Sequence, residues 1–157
     1  MFLQIEGIDG ESIDSWHPKE IEIQSWSWFT NNPVRWDLNQ GGQSSKVHVD
    51  HIIVNKICDQ ASVALYRYCV TGKHFKTARI ICRKNDGEQK LEYLTVDMVD
   101  VMIQKVNWNG QGGDQTLGES IEVSFAEFTL TYKTQQDSGD QANGDMTFGW
   151  AIVRPSG

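Results

Sequence analysis

Along residues 120–133, Ser-Ile-Glu-Val-Ser-Phe-Ala-Glu-Phe-Thr-Leu-Thr-Tyr-Lys, apolar and polar side chains alternate. Ile121, Val123 and Phe125 share one face. After Ala126 and Glu127 the apolar set continues as Phe128, Leu130 and Tyr132, one residue out of phase. Strand side chains change face at every residue, so an unrepaired slip would turn the second half inside out. A bulge at Ala126–Glu127 is the expected repair; it would bend and twist the strand. A long, bent strand that is apolar on one face throughout suits a closed barrel or a strand shared between two packed sheets. The same alternation predicts strands over Phe2–Glu6, Glu20–Thr30, Lys46–Lys56, His74–Arg83, Gln89–Val96, Met98–Trp108 and Met146–Val153. Those starting at His74 and Gln89 form a hairpin around Asn85-Asp86-Gly87.

Glu20–Thr30 has two faces of different kind. Ile21, Ile23, Ser25 and Ser27 alternate with Glu22, Gln24, Trp26 and Trp28. Burying a large apolar side chain contributes about 1.5–3 kcal/mol, so the tryptophans take the core in the second half. This requires a slip near Gln24–Ser25 and leaves Ser25 and Ser27 pointing outward.

One stretch has helical period. Asp59 reads as an N-cap and Gly72 as the stop of a helix over Gln60–Thr71. Ala61, Leu65, Tyr68 and Cys69 lie on one face, but Val63, Tyr66 and Val70 are apolar elsewhere on the cylinder. A helix packed on one barrel needs a single apolar stripe, so a second surface is expected to cover this one.

Three stretches read as loops: Gly7–Lys19, Asn109–Gly118 and the polar Thr134–Asp145. A fourth, Asn31–Ser45, has no period and carries strong turn residues, yet holds Val34, Trp36 and Leu38. Unstructured loops of this length are uncommon and often bind something. Two readings stand: the apolar residues fold back on their own barrel, or they meet another subunit.

Composition narrows the function. The 157 residues suit one domain spanning 1–157. No stretch is long and apolar enough to span a bilayer, so no membrane insertion is expected. A net charge of −7 argues against a nucleic-acid partner. Cys58, Cys69 and Cys82 include no Cys-x-x-Cys and read as buried thiols from a reducing cytosol. The start of the chain has no basic region before an apolar run, so no Sec-type signal peptide is expected. His48 and His51 would face opposite sides of a strand, which does not suit one metal ion. There is no Gly-x-Ser-x-Gly, and Gly110-Gln111-Gly112-Gly113 lacks the lysine of a phosphate loop. No enzyme, metal or cofactor is expected.

Gly7-Ile8-Asp9-Gly10-Glu11-Ser12, Ser25-Trp26-Ser27-Trp28, Gly72-Lys73-His74 and Phe148-Gly149-Trp150, in this order and spacing, resemble the Hcp (haemolysin-coregulated protein) family of type VI secretion systems. Phe29 stands where that family often has glycine. The resemblance implies an all-β fold with one helix: a closed β-barrel of two packed sheets with one flanking α-helix. It implies homo-hexameric rings that stack into a tube, meet sheath and spike proteins, and carry effector proteins in the lumen. A protein of this kind is made in the bacterial cytoplasm and secreted by the type VI machine. On this reading Ser25 and Ser27 line the channel; simple solvent exposure is the alternative. Asn31, Asn32, Val34, Arg35, Trp36 and Leu38 belong to a ring-stacking loop. Val63, Tyr66 and Val70 face a neighbouring subunit. A phage tail-tube-like protein shares this architecture, and a monomeric ligand-binding barrel is the other alternative, opposed by the bulky residues expected to fill the interior.

Overall fold

The computed structural model describes residues 1–37, 41–44, 46–86, 89–134 and 144–152. The strands are β1 (Phe2–Ile5), β2 (Ile21–Glu22), β3 (Ser25–Asn31), β4 (Val34–Asp37), β5 (Gly41–Ser44), β6 (His48–Ile57), β7 (His74–Asp86), β8 (Gln89–Asn109), β9 (Gly118–Tyr132) and β10 (Met146–Ala151). A helix, α1 (Gln60–Thr71), lies between β6 and β7. The main sheet runs β2-β1-β7-β8-β9-β6-β3, with β10 paired to β9; β4 and β5 form a separate hairpin.

The sheet is strongly curled. Trp26 on β3 donates its indole N–H to Sγ of Cys82 on β7 at 3.3 Å, although β8, β9 and β6 separate the two strands along the sheet. The concave side holds one apolar core, including Ile52, Val54, Ile80, Val96, Met98, Ile121 and Val123.

The expected bulge at Ala126–Glu127 is absent. The β8–β9 register runs unbroken through Val99↔Glu127 and Val101↔Phe125. The change of face is nevertheless real, and three neighbouring strands make it at one level. Buried positions step from Phe75 to Ala78 in β7, from Met98 to Val101 in β8, and from Phe125 to Phe128 in β9. Asp100, in the middle of this line, has a left-handed backbone (φ 53°). Because all three strands turn over together, none has to gain a residue. True register shifts occur elsewhere in β8, at Tyr93 against β7 and at Gln104 against β9. The second moves the inward phase from Val101 and Ile103 to Val106 and Trp108.

The slip expected near Gln24 marks a change of partner. Ile23 N–H donates to the Met1 carbonyl (3.1 Å), while Gln24 N–H donates to the Asn55 carbonyl (2.8 Å). The chain thus leaves β1 for β6 within two residues. Ile21 and Ile23 are buried, and Trp26 and Trp28 pack against the core from the other side. Ser25 and Ser27 are exposed, as the alternation predicts.

The helix forms over the expected residues. Asp59 accepts from the Ala61 amide and Ser62 Oγ accepts from the Asp59 amide, a reciprocal cap, and Gly72 ends the helix at φ 63°. Ala61, Ser62 and Leu65 are buried, with Tyr68 and Cys69 packed beside them.

Asn31–Ser45 is not structureless. Val34–Asp37 pairs with Gly41–Ser44 in register Val34↔Ser44 to Asp37↔Gly41. The ladder is made by backbone groups, and two glycines of β5 carry no side chain that could show a pattern. Leu38 lies outside the described residues, as does most of the polar connection expected over 134–145.

Candidate functional site

The exposed serines belong to a wider polar face. Ser25 pairs with Asn55, Asn55 with Ser120, and Ser120 with Asn107, so one row of small uncharged side chains crosses β3, β6, β9 and β8. Asn55 Nδ2 donates to Ser25 Oγ at 3.0 Å within it. The next row is Ser27, Ile53, Glu122 and Lys105. Lys105 and Gln104 donate to Glu122, at 2.9 and 3.1 Å, and hold its carboxyl below the usual carboxylate range; His51, 3.1 Å away, adds to this. His51 is also 2.6 Å from Asp50, which gives it a structural setting, and His48 is exposed at the start of β6. Among the described residues, no group of three or more His, Cys, Asp or Glu is placed to hold a metal.

The outward side of α1 is the second region. Val63 is 71% exposed, Tyr66 49% and Val70 73%. They are spaced three and four residues apart, so they form one apolar stripe opposite the packed face. The Tyr66 ring lies 5.1 Å from that of Trp108 at the end of β8, which is also exposed.

Beneath this stripe is an arrangement that the sequence reading missed. Lys56 and Glu119 face each other across β6 and β9, and both side chains are 0% exposed. Lys56 Nζ is 2.8 Å from Glu119 Oε2 and 2.8 Å from Asp59 Oδ1, and donates to the Ile57 carbonyl at 2.8 Å and to Ser62 Oγ at 3.1 Å. Ser62 Oγ donates to Glu119 Oε2 (2.6 Å), and the Trp108 indole N–H donates to Glu119 Oε1 (2.8 Å). Nearby, burial and the Glu119 carboxylate push the Cys58 thiol up. A signal for the pair did exist. Lys56 is in phase with Ile52 and Val54, and Glu119 with Ile121 and Val123, so both had to point inward.

The Gly7–Lys19 loop is firmly pinned. Arg83 grips Asp14 with two hydrogen bonds of 2.8 and 2.6 Å. Gly10 N–H donates to the Lys19 carbonyl at 2.6 Å, and a Cβ on Gly10 would collide with the Glu20 backbone. His17 is buried, stacked on Phe2 at 4.3 Å, with Nδ1 3.1 Å from Glu20 Oε2. Its Nε2 is 3.3 Å from Glu92 Oε1 but out of line for a hydrogen bond. The loop presents Ile13 and Trp16 at the surface, and β10 presents Met146, Phe148 and Trp150. Of the expected stacking residues, Asn31, Asn32, Val34 and Arg35 are exposed, and Trp36 pairs with Gly42 in the hairpin. No helix among the described residues is long and apolar enough to cross a membrane.

A family model described as "Type VI secretion system effector, Hcp" matches residues 2–132. The chain belongs to the Hcp family. Protein hcp1 of Pseudomonas aeruginosa is 32% identical over 152 residues, covering 97% of this chain and 94% of that protein. A solved structure described as a type six secretion system protein has a TM-score of 0.89 at 27% identity, covering 96% of this chain and 94% of its own. The crystal structure of Hcp1 from Salmonella typhimurium has a TM-score of 0.74 at 32% identity, covering 96% and 92%. The Hcp chain described here is a tube subunit of a type VI secretion system, and its family is one of structural tube proteins. Its mostly-β, strongly curled sheet with one helix is the fold of the family.

Proposed function

We propose that this Hcp chain assembles into homo-hexameric rings that stack as the secretion tube and hold effector proteins in their lumen. The observation that carries the reading is the stripe Val63, Tyr66 and Val70, which its own sheet leaves in water. A closed ring gives such a stripe a partner on every subunit through one repeated head-to-tail contact. The curled sheet is read as a closed barrel, because the continuous segment β2–β3 supplies both ends of the strand order. The interior is filled by Ile, Val, Phe and Met side chains, which disfavours a monomeric carrier of a small ligand.

The polar face with Ser25, Ser27, Asn55, Ser120 and Asn107 is the lumen wall. Short uncharged side chains there leave room for cargo and bind it without demanding one charge pattern. The β4–β5 hairpin, with Asn31, Asn32, Val34, Arg35, Trp36 and Leu38, contributes to ring-on-ring contact. Sheath and spike proteins are the other partners. The protein is made in the cytoplasm and leaves through the type VI machine.

Native mass spectrometry of the purified chain tests the assembly. A hexamer is expected for wild type. Val63→Asp paired with Val70→Asp is expected to yield folded monomers. A wild-type chain that stays monomeric at high concentration overturns the reading. Ser27→Gln tests the lumen: rings should form normally but retain less of a co-expressed effector. Undiminished retention would remove Ser27 from the cargo surface.

A further inference from the structure

We propose that Glu119 is a positioning residue for self-assembly: its buried carboxylate holds Trp108 beside Tyr66, so that the two rings form one preset aromatic plate against which a second copy of this chain seats. The proposal rests on the reading of α1 as a subunit contact and adds to it a strand residue, Trp108, and the group that orients it.

One carboxylate ties three elements together. Glu119 Oε2 accepts from Lys56 of β6 and from Ser62 in the first turn of α1, and Oε1 accepts from the Trp108 indole at the end of β8. Core stability does not call for this arrangement. Replacing a buried ion pair with apolar residues of similar volume is often neutral or stabilising. Nor does the core use the whole indole: Trp108 keeps 44% of its surface exposed beside Tyr66. What the carboxylate does provide is direction. It fixes the indole nitrogen, and therefore the plane of the ring, at a set place relative to the helix that carries Tyr66, 5.1 Å away. Ordering side chains on association is a cost of binding, and a surface already ordered avoids it. Trp and Tyr are the residues that most often dominate contact energy.

The occupant is a second subunit for two reasons. A tube subunit must contact its own copies, and Tyr66 belongs both to this plate and to the Val63–Val70 stripe. Copies with a net charge of −7 also repel one another overall, and an apolar, aromatic surface supplies attraction that this repulsion does not oppose locally.

The test uses the full chain, with dilution followed by sedimentation or native mass spectrometry, and far-UV circular dichroism as the check on fold. Lys56→Met/Glu119→Leu removes both charges and the acceptor for Trp108. It is expected to fold and to raise the concentration at which the assembly dissociates about tenfold or more, the scale of one hydrogen bond to a charged group. Lys56→Met/Glu119→Gln keeps an acceptor at the same place and is expected to restore assembly close to wild type. Trp108→Phe keeps a ring but no N–H, and should match the leucine variant. Adding it to that variant should cause no further loss, since both changes break one interaction. Wild-type assembly in Trp108→Phe overturns the proposal even if the leucine variant fails to fold. A glutamine variant as weak as the leucine variant overturns it as well. Val63→Asp separates the two levels: if it leaves assembly intact, the helix-contact reading itself has failed. If it abolishes assembly while Trp108→Phe does not affect it, only the role of Glu119 has failed.

Discussion

Strand β9 finishes the protein interior in two different ways. At its start, Glu119 meets Lys56, a charge pair with every partner supplied by the protein. Towards its end, Phe125 and Phe128 meet Trp28, with ring centroids 5.6 and 4.7 Å from the indole in edge-on geometry, and Phe128 touches Phe148. The aromatic end is held mostly by apolar contact and tolerates a change of shape. The charged end specifies angles and tolerates nothing that leaves one partner alone. The helix and the outward stripe stand over the charged end, where the proposed subunit contact requires a fixed orientation.

The largest expected effect comes from breaking the charged end on one side only. Glu119→Leu leaves the Lys56 ammonium buried with Asp59 as its remaining carboxylate, and should cost about 3–5 kcal/mol in denaturant unfolding. At the aromatic end, Phe128→Met keeps most of the volume and should cost about 1–2 kcal/mol. If the two losses were equal, the contrast between the ends would disappear. Trp28→Phe is smaller again. It keeps a ring against Phe125 and Phe128 but strands the Asp50 carbonyl, which now accepts from the indole at 2.8 Å; about 1 kcal/mol is expected.

The smallest effect lies on the outward face of the same strand. Lys105 and Gln104 hold the Glu122 carboxyl below its ordinary range, so folding favours the charged form. That contribution is complete above the ordinary glutamate value of about 4.3 and is lost as pH falls below it. Glu122→Gln should therefore flatten the acid limb of a melting-temperature profile and change stability at pH 7 by no more than about 0.5 kcal/mol. A change on the alkaline side instead would show that another group is responsible.

How legible the fold was depends on whether a feature is local. The helix could be read residue by residue, because Asp59, Ser62 and Gly72 act on backbone groups within one turn. The strand phases were equally clear, including the serines and tryptophans of β3. The change of face in β9 was visible, but its mechanism was not: it is a property of three strands turning together at Lys76, Asp100 and Ala126. The hairpin of β4 and β5 was hidden because glycines carry no pattern. The charged cluster was missed because outward carboxylates are the usual case on strands. Glu119 falls between the expected loop and the strand read from Ser120, so its phase with Ile121 went unused, and its partner Lys56 lies 63 residues away.

The crossing at Ile23–Gln24 also has a consequence in time. The meander β7-β8-β9 is joined by short connections, so its contacts are cheap to form in chain entropy. The segment Ile21–Asn31 cannot finish its task until both β1 and β6 have found their places, and β1 reaches β7 across more than seventy residues. This segment is therefore the clasp of the molecule, expected to fasten last in refolding and to part first when amide protons exchange.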